Sequence, residues 1–201
     1  MIGEMVKNNL IWFPEKGVGY YPVSNPVYDS TYFKKYYEYS TTQMGKLITK
    51  SRVNLVKKYY DGLILDVGIG CGHFIIEHGN AVGYDINPFA IKWLIEKCLY
   101  EPLSGTLVDS ASFWDSLEHI KNPKDAIKNL KYVFVSIPIF RDIDHILKSK
   151  HFKKNEHYWY FTHTGIINWF FEQGFEIIEH NDIETQFGRE DIGTYFFKAI
   201  E

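Results

Sequence analysis

The sequence predicts an α/β fold in which helices lie on the faces of a mostly parallel sheet. Segments of strand length alternate with amphipathic helical segments through the centre of the chain, and this order is typical of α/β domains. The length of 201 residues fits one domain with a substantial core. The strands that the pattern predicts are residues 63–67, 81–85, 111–114, 132–137, 175–178 and 194–200.

The helices between these strands are predicted from their capping residues. The segment Ser40-Thr41-Thr42-Gln43 fits a capping box, so we expect a helix from there to about Tyr60. A short helix that begins at Phe74 should end at Gly79. Polar residues before apolar stretches predict the remaining helix starts, at Asn87-Pro88, Asn122-Pro123 and Thr162 or Thr164.

Residues 1–39 differ in composition from the rest of the chain, and we treat residues 40–201 as the main domain. The first segment combines turn residues with many aromatic side chains, which predicts an irregular or short-helical arm that forms an N-terminal aromatic cap. One hypothesis is that this arm folds over a binding cleft as a lid. The alternative is that it only covers one face of the sheet.

The composition is that of an ordinary globular protein. The net charge of −3 gives no sign of a broad nucleic-acid-binding surface, and no apolar run reaches the roughly 18 residues that a membrane helix needs. Glu4 and Lys7 interrupt the apolar start of the chain, which argues against a signal peptide. The two cysteines are expected to be free thiols in a reducing compartment. We therefore expect a cytoplasmic protein with no membrane partner, and the oligomeric state stays open.

The segment from Leu65 to Gly72 (LDVGIGCG) carries the strongest functional signal. It predicts a buried strand, a turn that contains Gly68 and Gly70, and the start of a helix. Glycine permits positive φ angles and lets the backbone approach a ligand closely. A second strand ends at Asp85, beside that turn, and a carboxylate in this position can hold a ribose diol. The pattern indicates a cofactor that contains a nucleoside.

Asp66 narrows the choice of cofactor. The glycine spacing is G-x-G-x-G rather than the G-x-G-x-x-G of dinucleotide folds. In addition, a carboxylate at the end of the strand would repel a pyrophosphate placed on the helix N-terminus. The same carboxylate attracts an ammonium group. A cofactor with a cationic amino-acid end and a ribose satisfies both Asp66 and Asp85, and S-adenosylmethionine has that shape.

Several segments together resemble the class I S-adenosylmethionine-dependent methyltransferases, and in particular the broad group with an LEH signature. Residues 65–72 match the first motif of that family, residues 83–85 match the second, and residues 113–120 (FWDSLEHI) match the segment at its fourth strand. The likeness extends from about residue 62 to residue 200. It implies a Rossmann-like, doubly wound, mostly parallel sheet with an antiparallel last strand.

The resemblance also implies which residues contact S-adenosylmethionine. They are Asp66, Gly68, Gly70 and Gly72 at the methionine end, Asp85 at the ribose, Ile86 at the adenine, and Phe113, Trp114 and Asp115 beside the sulfonium. The region between Asp85 and Asp115 is short for a third strand and its helix. We expect residues 98–101 to be a stub of that strand, residues 102–109 to be a loop, and Glu101 or Asp109 to recognise the adenine amino group.

The acceptor of the methyl group is predicted only by class, as an oxygen or nitrogen of a small molecule or of a nucleic-acid component. Such a nucleophile can need a base, and Asp115 and His119 are the candidates because they follow the strand beside the sulfonium. Alternatively, His119 only satisfies a backbone group at the next helix. Glu118 is expected to be structural. His157 and Tyr160 are candidates for the substrate pocket, unless their aromatic segment is simply core.

Other acceptor chemistries fit the sequence less well. Neither Cys71 nor Cys98 is placed or flanked as the nucleophile of a C5-cytosine methyltransferase would be. Residues 136–140 (SIPIF) loosely resemble the Asn/Asp/Ser-x-Pro-aromatic clamp of amino-methylating enzymes. That segment, however, follows the fifth strand rather than the fourth and lacks an aromatic residue directly after the proline.

The histidines of the later part of the chain do not predict a metal site. His145, His151, His157 and His163 recur every six residues. This spacing fits neither one face of a helix nor the usual metal-ligand pairs, and no cysteine cluster accompanies it.

Two alternatives to a methyltransferase remain at this point. A nicotinamide-dependent oxidoreductase is disfavoured by Asp66 and by the glycine spacing. A catalytically silent module that only binds the cofactor is favoured by the short region after Asp85 and by the lack of a decisive catalytic residue.

Overall fold

The computed structural model describes residues 4–5, 9–22, 29–104 and 108–200. In these residues the strands are β1 (Glu4–Met5), β2 (Ile11–Phe13), β3 (Val18–Tyr20), β4 (Ile64–Val67), β5 (Ala81–Tyr84), β6 (Ser110–Trp114), β7 (Tyr132–Phe140), β8 (Trp159–Thr162), β9 (Phe175–Asn181) and β10 (Ile192–Ala199). The helices are α1 (Ser30–Thr41), α2 (Gln43–Tyr59), α3 (His73–His78), α4 (Pro88–Glu96), α5 (Pro123–Ile127), α6 (Ile143–Lys148), α7 (His163–Glu172) and α8 (Ile183–Gln186), with a 3-10 turn at Leu117–His119. Parts of the predicted arm (1–3, 6–8 and 23–28) and of the predicted loop (105–107) lie outside the described residues.

The central sheet has the strand order β5-β4-β6-β7-β10-β9. Strands β5, β4, β6 and β7 are parallel, whereas β10 runs antiparallel to both β7 and β9. Only α8 and short turns join β9 to β10. A parallel crossover needs about a dozen residues or more, so the chain reverses direction here. The predicted Rossmann-like sheet with an antiparallel last strand is confirmed.

The strand β4 shows how this sheet is buried. All four of its residues are buried, as expected for a parallel strand with helices on both faces. Leu65 and Val67 belong to one apolar cluster and Ile64 to another, because alternate side chains point to opposite faces. Asp66 is the charged exception in this strand, and it lies at the end where a ligand can reach it.

The strand β7 is longer than predicted, and on the side away from β6 it divides its pairing between two neighbours. It continues to Phe140, through Pro138, which has no N–H to donate, and the Ile139 N–H donates to the Asp191 carbonyl at 2.7 Å. Along most of its length β7 pairs with β10. Its last residues, Ile139 and Phe140, pair in parallel with β8.

The arm before residue 40 contains strands that the sequence did not predict. β1, β2 and β3 pair antiparallel in that order, and β3 pairs with β8. Leu10 and Trp12 are buried in a cluster with Tyr160. The expectation of an irregular segment is therefore wrong for β2 and β3, because a partner strand more than a hundred residues away orders them. The expectation of a helical part is met by α1.

The caps of the longer helices agree with the sequence, with one exception. The Asn87 Oδ1 accepts the Phe89 N–H at 3.0 Å, and the Thr162 Oγ1 accepts the Gly165 N–H at 2.9 Å. The helix α2 is capped by Thr42, whose Oγ1 accepts the Gly45 N–H at 3.0 Å. The predicted start at Ser40 is wrong because α1 occupies that position and extends to Thr41.

A remnant of a third parallel strand borders β5. Gly83 and Tyr100 form an isolated parallel bridge. The Gly83 N–H donates to the Leu99 carbonyl at 2.8 Å, and the Glu101 N–H donates to the Gly83 carbonyl at 2.9 Å. The predicted stub at residues 98–101 is confirmed, and the short connection leaves room for little more than these two hydrogen bonds.

Candidate functional site

A cavity of about 920 Å³ opens at the carboxyl ends of β4, β5 and β6. This is the edge of an α/β sheet at which ligands bind. The glycine turn after β4 forms one wall, and residues of α1 and α2 form another. The segment after β6 and the segment before β8 line the remaining part. The predicted cofactor residues and the predicted catalytic residues thus border one space.

The turn after β4 requires glycine at the predicted positions. Gly68, Gly70 and Gly72 have φ angles of +80°, +58° and +78°, in the left-handed region that other residues rarely adopt. A Cβ at Gly72 would also lie 2.3 Å from the indole ring of Trp93. The Gly68 N–H donates to the Tyr84 carbonyl at 2.8 Å, which fastens the turn to the end of β5.

Asp66 lies buried under this turn and borders the cavity. Its side chain is 1% exposed, and the Ser112 Oγ donates to its Oδ1 at 2.9 Å. Burial raises the pKa of Asp66 to about 7, although the Ser112 hydrogen bond and the charge of Arg52 act in the opposite direction. A cationic group in the cavity would favour the ionised form. The carboxylate is therefore suited to an ammonium ligand.

Asp85 follows β5 and lies between the glycine turn and α4. Its Oδ1 accepts the Asn87 N–H at 2.8 Å. Burial raises the pKa of Asp85, and the backbone N–H groups of Asn87, Ile69 and Gly70 offset part of this rise. These backbone donors fix the carboxylate beside the turn, as the sequence predicts. The carboxylate borders the cavity and can accept hydrogen bonds from a diol.

The remaining residues predicted to contact the cofactor differ in whether they border the cavity. Ile86 lines the cavity with 56% of its surface exposed, and Trp114 lines it as well. Phe113 has no exposed surface and packs in the core. Its assignment as a cofactor contact is wrong, because alternation along β6 turns it away from the face on which Trp114 lies. Neither Glu101 nor Asp109 borders the cavity, and the Asp109 carboxylate pairs with Lys131 at 2.9 Å.

Asp115 is held by two arginines. The Arg189 Nη2 donates to its Oδ1 at 2.7 Å, and the Arg52 Nη2 donates to its Oδ2 at 2.9 Å. Burial alone would raise the pKa of Asp115, but Arg189 and Arg52 hold it well below its usual range. A carboxylate with so low an affinity for protons is a poor base. These two ion pairs argue against the role of general base predicted for Asp115, although its carboxylate borders the cavity.

The same two arginines join Asp115 to a buried glutamate that sequence reasoning missed. The Arg52 Nε donates to the Glu184 Oε1 at 2.6 Å, and Glu184 has no exposed surface. Ser136 also donates to Glu184, at 2.8 Å. Arg52 comes from α2, Glu184 from α8, and Arg189 from the turn after it. No local motif marks these residues, because their charges meet only after the chain has folded.

His119 borders the cavity together with Glu118 and His157. Burial lowers the pKa of His119 to about 4, with a further contribution from Lys153, so its ring is neutral at pH 7. Burial also lowers the pKa of His157 well below its usual range. Burial raises the pKa of Glu118 to about 8, with Asp115 as the next contribution. The predicted His119 and His157 come together here, and Glu118 joins them although the sequence indicated only a structural role.

Two other expectations for the acceptor side do not fit the structure. Tyr160 has no exposed surface and does not border the cavity, so its assignment to the substrate pocket is wrong. It is a core residue of β8, packed near Phe140. Only Pro138 of residues 136–140 borders the cavity. The Ser136 hydroxyl is committed to Glu184, so these residues do not form a clamp.

The series of histidines at six-residue spacing is dispersed. The His145 Nε2 lies 3.1 Å from the Asp191 Oδ2, the His151 Nε2 lies 3.1 Å from the Glu190 carbonyl, and the His163 Nδ1 lies 2.9 Å from the Tyr195 hydroxyl. These three histidines have separate partners. The fourth, His157, lies beside His119 instead.

The helix α1 covers the glycine turn. Tyr36 and Tyr39 line the cavity, and a Cβ at Gly70 would lie 3.4 Å from the Tyr36 ring. The two hypotheses for the arm therefore apply to different parts of it. The buried Leu10 and Trp12 support packing by the first strands, whereas the position of α1 supports a lid.

Comparison with known proteins agrees with this geometry. A family model described as "Methyltransferase domain" matches residues 41–180. No curated protein matches the chain. In the part of the chain that the structure describes, no helix is long and apolar enough to cross a membrane.

Solved structures show the same fold at low sequence identity. The magnesium protoporphyrin IX methyltransferase of Synechocystis PCC 6803, with bound S-adenosylhomocysteine, is 16% identical with a TM-score of 0.60, covering 85% of this chain and 95% of its own. The 1,6-didemethyltoxoflavin-N1-methyltransferase of Burkholderia thailandensis is 11% identical with a TM-score of 0.57 over 100% of both chains. The [4+2]-cyclase SpnF is 14% identical with a TM-score of 0.56, covering 80% of this chain and 84% of its own.

Proposed function

This chain belongs to the methyltransferase-domain family, and we propose that it transfers a methyl group from S-adenosylmethionine to an oxygen or nitrogen of a small molecule or nucleic-acid component. The observation that carries the proposal is the pair of carboxylates on either side of the glycine turn, of which Asp66 is buried and Asp85 half-buried. Asp66 is suited to the ammonium of the methionine end, and Asp85 is suited to the ribose diol. Both border the same cavity, so one cofactor molecule can reach both.

The proposed reaction is an in-line displacement at the methyl carbon. A lone pair of the acceptor forms the new bond to carbon while the bond from carbon to sulfur breaks. The electron pair of that bond stays on sulfur and gives S-adenosylhomocysteine. The acceptor loses a proton, and we assign its removal to His119, whose neutral ring borders the cavity. Because burial lowers the pKa of His119, it is a weak base and accepts the proton late, from an acceptor that its new methyl group has made acidic. His157 and Glu118 border the acceptor side of the same cavity.

A volume of about 920 Å³ supports a small acceptor. Ligand pockets commonly range from about 300 to 1,000 Å³, and a nucleoside cofactor would occupy a large part of this one. The exposed Ile86 offers an apolar contact for the face of the adenine. Trp114 and the tyrosines of α1 offer aromatic surface for the acceptor.

The test is to incubate the chain with S-adenosylmethionine labelled in its methyl group and with fractionated cell extract. We expect one fraction of small molecules or nucleic-acid components to take up label. With S-adenosylmethionine below saturation, Asp85→Ala should strongly reduce this uptake, whereas the matched control Asp109→Ala, which changes a carboxylate outside the cavity, should retain it.

A second function has specific support. The low proton affinity of Asp115 leaves few groups for acid–base chemistry, which favours a module that binds the cofactor without transferring its methyl group. Binding of S-adenosylhomocysteine without label uptake in any fraction would favour that alternative. The family match opposes the nicotinamide-dependent oxidoreductase.

A further inference from the structure

Glu118, His119 and His157 bring three possible metal ligands together on the wall of the cavity. One ligand atom from each lies within 4.8 Å of the others. The His157 Nε2 is 4.0 Å from the Glu118 Oε1, and the two imidazole rings meet edge to face at 4.5 Å between centroids. Ligand atoms bound tetrahedrally to one ion at about 2.1 Å lie about 3.4 Å apart, so side-chain shifts of about 1–1.5 Å would bring all three into range.

The carboxylate of Glu118 supplies a second, independent observation. Its side chain is 2% exposed, and the Oε2 atom is buried and accepts no hydrogen bond from the described residues. A buried polar atom without a partner is costly, and such atoms often mark an ion or ligand site. The neighbouring lysines are engaged elsewhere, since Lys153 pairs with Glu156 and Lys150 with Glu190.

The turn that carries Glu118 and His119 is hydrogen-bonded to the segment that follows His157. The Tyr158 N–H donates to the Glu118 carbonyl at 2.8 Å, and the Trp159 Nε1 donates to the Ile120 carbonyl at 3.0 Å. The His119 ring also makes a hydrogen bond to the backbone of Glu156. A bond of this kind orients an imidazole so that its other nitrogen can bind a metal.

We propose that Glu118, His119 and His157 bind a divalent first-row transition-metal ion such as Zn²⁺ or Co²⁺. Two imidazoles favour such ions over Mg²⁺ or Ca²⁺, which prefer oxygen ligands. Three protein ligands leave a coordination position for a molecule from the cavity. The site extends beyond the proposed function, and it exists whether or not the chain transfers methyl groups. With the ion bound, His119 is a ligand and no longer the acceptor of the substrate proton.

The competing arrangement has no metal. In it, a protonated Glu118 would share its proton with His157, across the 4.0 Å that now separates them. Both arrangements satisfy the buried carboxylate, and metal titration separates them.

The experiment uses the full chain, treated with chelator and then freed of chelator, and titrated with Co²⁺. We expect one equivalent to bind with visible d–d absorption and to be displaced by Zn²⁺. Glu118→Gln should weaken Co²⁺ binding by about a hundredfold or more, since it removes a direct ligand rather than an outer-shell partner. Retained affinity for S-adenosylhomocysteine in this variant would show that it is folded and would test the proposed function separately.

The matched control is His180→Asn. The rings of His163 and His180 are also 4.5 Å apart, but the described residues place no third ligating group with them. This variant should bind Co²⁺ like the unchanged chain. If Glu118→Gln does not fold, His119→Gln and a rise of the Tm of the unchanged chain with Zn²⁺ take its place. Absence of Co²⁺ binding, or equal binding by the unchanged chain and the ligand variants, would overturn the proposal.

Discussion

The two ends of the cavity differ in how the chain builds them. The cofactor end consists of Asp66, the glycine turn and Asp85, which lie within 20 residues of one another at the carboxyl ends of two adjacent parallel strands. The acceptor end consists of Glu118, His119 and His157, which come from the turn after β6 and from the segment before β8. The first end depends on local geometry, and the second depends on how distant segments pack.

This difference explains what the sequence could predict. A glycine turn between a strand and a helix, with carboxylates at two strand ends, leaves a pattern in the sequence, and the structure places Asp66 and Asp85 as that pattern indicates. At the acceptor end, by contrast, the burial of each side chain determines whether it lines the cavity. Tyr160 and Phe113 are aromatic residues in the expected segments, but the strands turn their side chains into the core. Nothing in the sequence around Asp115 shows that two arginines would neutralise it.

The secondary structure shows the same contrast between local patterns and distant packing. Strands of the central sheet are apolar runs between capped helices, so their positions were predicted within a few residues. The strands β2 and β3 are short, and their order depends on pairing with β8. The helix α2 is capped by Thr42 rather than Ser40 because α1 extends to Thr41. The capping pattern in the sequence does not show that a helix precedes this one.

The largest expected effect is on the glycine turn itself. Gly72→Ala combines a left-handed φ of +78° with a Cβ 2.3 Å from the Trp93 ring, and we expect a loss of about 2–4 kcal/mol in the free energy of unfolding. Gly70→Ala is the matched control, since its Cβ meets the Tyr36 ring at 3.4 Å and only the backbone cost of about 1–2 kcal/mol applies. Urea unfolding measures both. Equal losses would show that the close contact with Trp93 is unimportant.

The next largest effect is on cofactor affinity. Asp85→Ala removes a charged acceptor for the ribose, which corresponds to about 2–3 kcal/mol, or roughly a 30- to 150-fold weaker Kd for S-adenosylhomocysteine. Calorimetry measures this change, and Asp109→Ala should leave the Kd within about twofold. An unchanged Kd in Asp85→Ala would contradict the assignment of Asp85 to the ribose.

The pH dependence of cofactor binding tests whether Asp66 binds the ammonium group of the cofactor. Burial raises the pKa of this group to about 7, against the opposing effect of Arg52, while Asp85 adds to the rise. An ammonium ligand prefers the ionised form, so the affinity for S-adenosylhomocysteine should increase about tenfold from pH 6 to pH 8. Asp66→Asn should bind more weakly and lose most of this dependence. A flat profile in the unchanged chain would contradict an ammonium at Asp66.

The smallest expected effect is the change in cofactor affinity that follows a substitution at the acceptor end of the cavity. His119→Gln removes a group assigned to the acceptor, so the Kd for S-adenosylhomocysteine should change by less than about twofold while methyl transfer falls by about 10²–10⁴-fold. Calorimetry and label uptake on the same sample separate the two ends. A large loss of cofactor affinity would mean that they are coupled.

The central claim is that the glycine turn and its two carboxylates bind S-adenosylmethionine. The most direct test is to titrate the unchanged chain with S-adenosylhomocysteine and, in parallel, with NAD by calorimetry. We expect one equivalent of S-adenosylhomocysteine to bind and NAD to show no measurable binding, because Asp66 repels a pyrophosphate at this turn. Binding of NAD with equal or greater affinity would contradict it.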